Sequence, residues 1–153
     1  MVTYFENQLI KAEAAARTGG DGLGHLNDYR AWLASGGRLN DTFNDSASIL
    51  YEAYDEADFA SGGVENSDGV SAETALLREI IEERYVSGFG TYMPFNDHRR
   101  LRGDGETNLI PPFPLNPGGS EHVERIPYAQ DDLTSNSNMP EDPGLYVKTE
   151  VNQ

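Results

Sequence analysis

Apolar side chains recur along this chain at helical spacing in four places. In the first, Tyr4 to Arg17, the residues Phe5, Leu9, Ala12 and Ala16 make one stripe, widened by Ile10 and Ala14. Its alanines favour helix and keep that face shallow, so a second helix can approach closely. Thr18-Gly19-Gly20-Asp21 ends it. A second helix is expected from near Leu23 to Ser35, carrying Leu23, Leu26, Tyr29 or Arg30, and Leu33, and closed by Gly36-Gly37. Two short helices joined by a few residues predict a helical hairpin.

After a turn at Asn40-Asp41, the pattern predicts a third helix over 46–60, with Ser46 as cap and Leu50, Tyr54 and Ala57 on one face. Its acids, Glu52, Asp55, Glu56 and Asp58, read as a solvated side. Ser61 to Gly69 reads as a linker rich in glycine and acids. Within it, Asn66-Ser67-Asp68-Gly69 resembles part of a calcium loop but lacks the glutamate of position twelve, and so reads as a turn.

The longest stripe follows. Leu76, Leu77, Ile80, Ile81 and Tyr85 lie three and four places apart after Ser71, a good N-cap, and Glu73, an acid where the helix dipole favours one. Gly88 and Gly90 stop the helix, and Phe95-Asn96-Asp97-His98-Arg99-Arg100 then forms a compact aromatic, acidic and basic cluster. Arg84 has no carboxylate three or four places away on its own helix. It either stands in water or takes a partner from elsewhere in the fold.

From Gly103 the character changes. Leu109-Ile110-Pro111-Pro112-Phe113-Pro114 and Asn116-Pro117-Gly118-Gly119 exclude regular helix, because proline fixes φ and lacks a donor. Leu145 to Thr149 can add a brief strand. This tail is either disordered or wrapped over the helices. Ile126, Tyr128, Leu133 and Tyr146 are spaced as anchors, which favours wrapping. The expected fold is therefore mainly α, with a helical part over 1–102 and an irregular wrapping tail over 103–153.

Composition narrows the function. Only 37% of the 153 residues are hydrophobic, a low share for a self-contained globule, so a piece of something larger is the expectation. The net charge of −15 argues against nucleic acid, which needs clustered lysine and arginine. The basic knot Arg99-Arg100-Leu101-Arg102 is offset by Asp97, Asp104 and Glu106. With no cysteine there is no disulfide, thiolate metal site or cysteine nucleophile. No apolar run approaches the roughly 18 residues of a membrane span, and Met1 opens no signal peptide.

Candidate chemistry is sparse. His25, His98 and His122 have no second ligand at helical spacing, so no metal or cofactor is expected. Neither a Gly-x-Ser-x-Gly elbow nor a phosphate loop is present. Glu82-Glu83 is the best-placed carboxylate pair, but adjacent helical residues point about 100° apart. Among the aromatics, Tyr92 and Phe95 flank Pro94 in an expected loop, where flat rings could grip a sugar. Phe95 and Trp32 can equally be core.

Three separated stretches resemble the SusD/RagB family. Thr3 to Ala14 with Asn27-Asp28-Tyr29-Arg30 is similar to its "E-x-x-L-I-x-A-E-A … L-N-x-x-R" pattern. Ile80-Ile81-Glu82-Glu83-Arg84-Tyr85 and the 95–100 cluster look like its late helix and following arginines. Arg125-Ile126-Pro127-Tyr128 with Asn136-Ser137-Asn138-Met139-Pro140 is similar to its closing "R-x-P-Y … N-x-N-x-P" signature. Gly88-Phe89-Gly90 departs from the commoner acidic "E-G-x-R" of that family, and aromatic residues after Tyr92 are few.

The resemblance implies tetratricopeptide-like helix pairs and the C-terminal part of a surface lipoprotein of Bacteroidetes outer membranes, anchored by a lipid upstream of this chain. It implies capture of a glycan or other nutrient, without catalysis, above a SusC-like TonB-dependent transporter. In such a stack Glu13 faces inward and needs a cation from Arg84, Arg99 or Arg100, with Asp97 in the same ion-pair cluster. The rival expectations are a helical-repeat module that recruits another protein and a fragment of a glycan-cleaving enzyme.

Overall fold

The structure, a computed structural model, describes residues 3–37, 51–111, 119 and 121–149. These residues are mainly α-helical, and no strand occurs among them. Helix α1, Tyr4–Arg17, starts on a capping box in which the Thr3 hydroxyl accepts from the Glu6 amide and the Glu6 carboxylate accepts from the Thr3 amide. Helix α2, Gly22–Ala34, is capped by Asp21 through the Gly24 amide. The two pack along their lengths as the expected hairpin, with Leu9, Ala12 and Ala16 facing Leu26, Tyr29 and Leu33 in one core. Ile10 and Ala14 do not widen the buried stripe and lie exposed; Glu13 takes the inward place beside Ala12.

Residues 46–50 and the Asn40-Asp41 turn lie outside the described residues. The rest of the expected third helix shrinks to a single turn, α3, Glu56–Phe59. The Asn27 side chain explains the loss. Its amide donates to Tyr54 O at 2.8 Å and its oxygen accepts from Tyr54 N at 2.9 Å, so both backbone groups of Tyr54 are engaged away from a helix. Asp55 then caps α3 with Asp58 in a second capping box. The following segment is more than a linker. Asn66 is fully buried, and its amide donates to Phe59 O and Val70 O, both at 2.8 Å.

Helix α4, Ala72–Ser87, is capped by Ser71 and carries Ala75, Leu77, Ile80 and Ile81 into the core against α1. It ends at Gly88, and Gly90 takes a φ of 80°, a conformation that glycine adopts without strain. Helix α5, Met93–Gly103, corrects the expected loop: Pro94 lies in its first turn, where a missing N–H costs nothing. The whole 95–100 cluster is therefore helical. A 3-10 turn, Thr107–Leu109, follows and buries Leu109.

The described tail contains a further short helix, α6, Gln130–Ser135, and Leu145 to Thr149 form turn and coil instead of a strand. Its expected apolar anchors are not anchors. Ile126, Leu133 and Tyr146 are exposed and Tyr128 is half-buried. Polar groups hold it: the Arg102–Glu124 ion pair, with Glu124 buried, and Arg99 donating to Thr149 Oγ1 at 3.0 Å. A chain this poor in apolar residues spends them on the helical core first.

Candidate functional site

Three helices meet at Glu13. Its position on α1, one residue past Ala12, turns the carboxylate towards α4 and α5, and 5% of the residue is exposed. Arg84 reaches it from α4 at 2.6 Å and Arg100 from α5 at 2.8 Å and 3.1 Å. Arg17, one turn further along α1, adds a bond at 2.9 Å. Asp97 completes the cluster, accepting on Oδ1 from Arg84 at 2.9 Å and Arg100 at 3.2 Å. Arg17 also forks onto Glu106 with two bonds of 2.7 Å. Three arginines thus neutralise three carboxylates, and the charge-assisted bonds are mutually bridging.

The two buried carboxyls respond differently. Burial works to raise Glu13, but the hydrogen bond from Arg100 and the charges of Arg100 and Arg84 overcome it and hold the group below its usual range. Burial raises Asp97 above its range despite Arg84 and Arg100. The difference is legible in the contacts: Glu13 uses both oxygens, whereas Asp97 Oδ2 is buried without a hydrogen-bond partner.

The expected set Glu13, Arg84, Asp97 and Arg100 is therefore together in one place. Arg99 is not part of it. One residue before Arg100, it points to another side of α5, lies over the Phe95 ring at 5.1 Å and binds Thr149. Arg17 and Glu106 belong to the cluster and were not anticipated, although Arg17 stands four residues from Glu13 on the same helix, the ordinary spacing of an ion pair.

A second network lies on the other side of α4. Arg30 of α2 lies over the Tyr54 ring at 3.9 Å and near that of Tyr51 at 5.4 Å, and pairs with Glu83 at 3.6 Å. Tyr54 donates to Glu79 at 2.9 Å. Burial, followed by the charges of Glu65, Glu82 and Glu83, pushes Glu79 up to about 7, against the Tyr54 bond. Glu82 and Glu83 part as adjacent helical residues must. Glu83 is buried beside Arg30, and Glu82 lines a cavity of about 160 Å³ with Glu65, Glu79 and Arg78.

The expected binding aromatics also part. Tyr92 is 68% exposed at the start of α5, and Phe89, in the preceding turn, is 87% exposed. Phe95 is half-buried beneath Arg99. Val86, on the last turn of α4, is exposed as well. The turn between α4 and α5 thus presents two aromatic rings to solvent. Phe89 was not singled out from sequence; its place between two glycines was the available signal.

Among the described residues no group of three or more histidine, aspartate or glutamate side chains is arranged to hold a metal ion, and no helix is long and apolar enough to cross a membrane. Compared with protein-family models, curated proteins and solved structures, the chain matches none of them.

Proposed function

We propose that this chain is the C-terminal part of a SusD-like, non-catalytic binding protein that captures a glycan or other oligomeric nutrient. One observation carries the reading. The stretches on which the family resemblance rests are far apart in sequence, yet Glu13 of the first meets Arg84, Asp97 and Arg100 of the second in one buried cluster. The third stretch lies against the same helix, through Arg102 and Glu124 beside Arg125. Residues that must fold around one another are what a shared framework requires. The α1–α2 hairpin stacked on α4 is compatible with tetratricopeptide-like pairing.

In this reading Tyr92 and Phe89 supply flat apolar faces for a sugar ring, and neighbouring polar groups bind its hydroxyls. The partner is a SusC-like TonB-dependent transporter, and the place is the outer surface of the outer membrane. Binding needs no bond-making group. Calorimetry of the purified chain against a panel of soluble polysaccharides and oligosaccharides tests it, with circular dichroism as the check of folding. The expected result is binding of one glycan class, weakened by about tenfold or more in Tyr92→Ala, the loss of one stacked ring. A folded chain that binds no glycan refutes capture at these rings, and turnover of a glycan refutes the non-catalytic reading.

A further inference from the structure

Residues 121–149 touch the helical body mainly through one face of α5. His122 lies against His98 with ring centroids 4.7 Å apart and planes inclined by 59°. Two residues on, Glu124 is 3% exposed and paired with Arg102, one turn beyond His98. The Glu124 amide donates to Leu145 O at 2.8 Å, and Arg125 donates to Val147 O at 3.0 Å, so the two ends of the tail are joined. Arg99 then holds Thr149. The contacts are polar, and the large apolar side chains Ile126, Tyr146 and Val147 face outward. A segment docked this way has little hydrophobic burial to keep it closed.

We infer that residues 121–149 form a strap that stays closed over α5 while His98, against which His122 rests, is neutral, and that proton uptake at His98 releases it. Neutral, the His98 ring rests tilted against His122; charged, it sits half-buried beside Arg102, whose guanidinium repels it and whose own carboxylate partner is Glu124. Burial, then the charges of His122 and Arg102, hold His98 down to about 4 from 6.5, with Glu124 opposing. The closed strap therefore disfavours the proton that the open strap accepts. Opening grows as pH falls from 6.5 towards 4, by about tenfold or more once solvent screening is allowed for.

Hydrogen exchange of the full chain at pH 7 and pH 4, corrected for intrinsic rates, tests the strap, with peptides of α4 as the internal reference. Expected is a loss of protection of about tenfold or more in the peptides around 121–128 and 145–149, while α4 keeps its own. His98→Phe keeps a ring against His122 but takes up no proton, and its strap stays protected at pH 4. Unchanged protection of the wild-type strap overturns the inference. So does release in His98→Phe equal to wild type, which would assign the release to a group other than His98. Parallel loss in α4 and the strap overturns it too, because the strap would then not open by itself.

Discussion

Replacing Glu13 by glutamine tests the buried cluster most directly. The substitution keeps the shape of the side chain and one acceptor oxygen but removes the charge that three guanidinium groups share. Truncating one partner of a fully buried ion pair costs about 3–5 kcal/mol. Here only the Arg84 side chain is dry, at 10% exposed; those of Arg100 at 37% and Arg17 at 30% are partly screened by water. Asp97 also continues to face Arg84 and Arg100. Discounted for that screening, the cost falls to about 2–3 kcal/mol, which lowers the melting temperature by roughly 4–12 °C for a chain of this size.

The sign with pH follows from the depressed carboxyl. Glu13 contributes stability above its unfolded value and loses that contribution as pH falls through the lower folded value. The gap between wild type and Glu13→Gln is therefore full at pH 7 and closes in acid. Asp97 acts in the opposite sense, since its folded value is raised and its contribution is lost as pH rises. Part of that rise comes from Glu13 itself, so Glu13→Gln relaxes it and leaves Asp97 more firmly ionised between Arg84 and Arg100. Thermal and urea melts followed by circular dichroism measure the gap. A melting temperature within about 1 °C of wild type at pH 7 refutes the claim that the cluster holds α1 to α4 and α5.

Three further outcomes are expected. Glu79, raised to about 7 from 4.5, contributes stability that is complete below 4.5 and lost as pH rises through 7, so Glu79→Gln flattens the fall of melting temperature between pH 5 and pH 8; an unchanged slope would show that another group titrates there. Gly22→Ala places a Cβ 2.7 Å from Ala16 Cβ and 2.9 Å from its backbone, which forces the α1–α2 hairpin apart and costs about 1–3 kcal/mol in a urea melt. Tyr92→Ala changes stability by less than about 0.5 kcal/mol, because the ring is largely in water; a larger loss would mean that the ring holds the fold and is not free for a ligand.

What the sequence made legible is what local periodicity controls. Tyr4–Arg17 and the helix after Ser71 follow from their stripes and caps, and Arg84 could be seen to need a partner. Residues 51–55 failed because a distant side chain, Asn27, takes the backbone groups of Tyr54, and no local pattern reports that. Tyr92, Pro94 and Phe95 were placed in a loop, and the start of α5, which has no side-chain cap to announce it, gave no local signal against that. The tail was read through apolar spacing, whereas histidine and arginine side chains hold it. Tyr92 could be proposed from sequence, but which ring is covered depended on where Arg99 lies.

The position of Glu83 beside Arg84 explains why a chain with so little apolar substance packs in a defined way. On a helix the two side chains diverge, so one dipeptide of α4 serves two networks. Glu83 pairs with Arg30 of α2, and Arg84 pairs with Glu13 of α1 and Asp97 of α5. Apolar contacts between shallow, alanine-bearing faces permit sliding and rotation at small cost, because Ala12, Ala16 and Ala75 present little relief. Buried charges do not permit it. A one-residue rotation of α4 in one sense would bring Arg84 against Arg30, and in the other would bring Glu83 against Glu13. Such pairs contribute little net stability over an apolar core, but they penalise the wrong arrangement heavily. Register in this fold is thus set by charge, and the aromatic turn between α4 and α5 inherits its position from it.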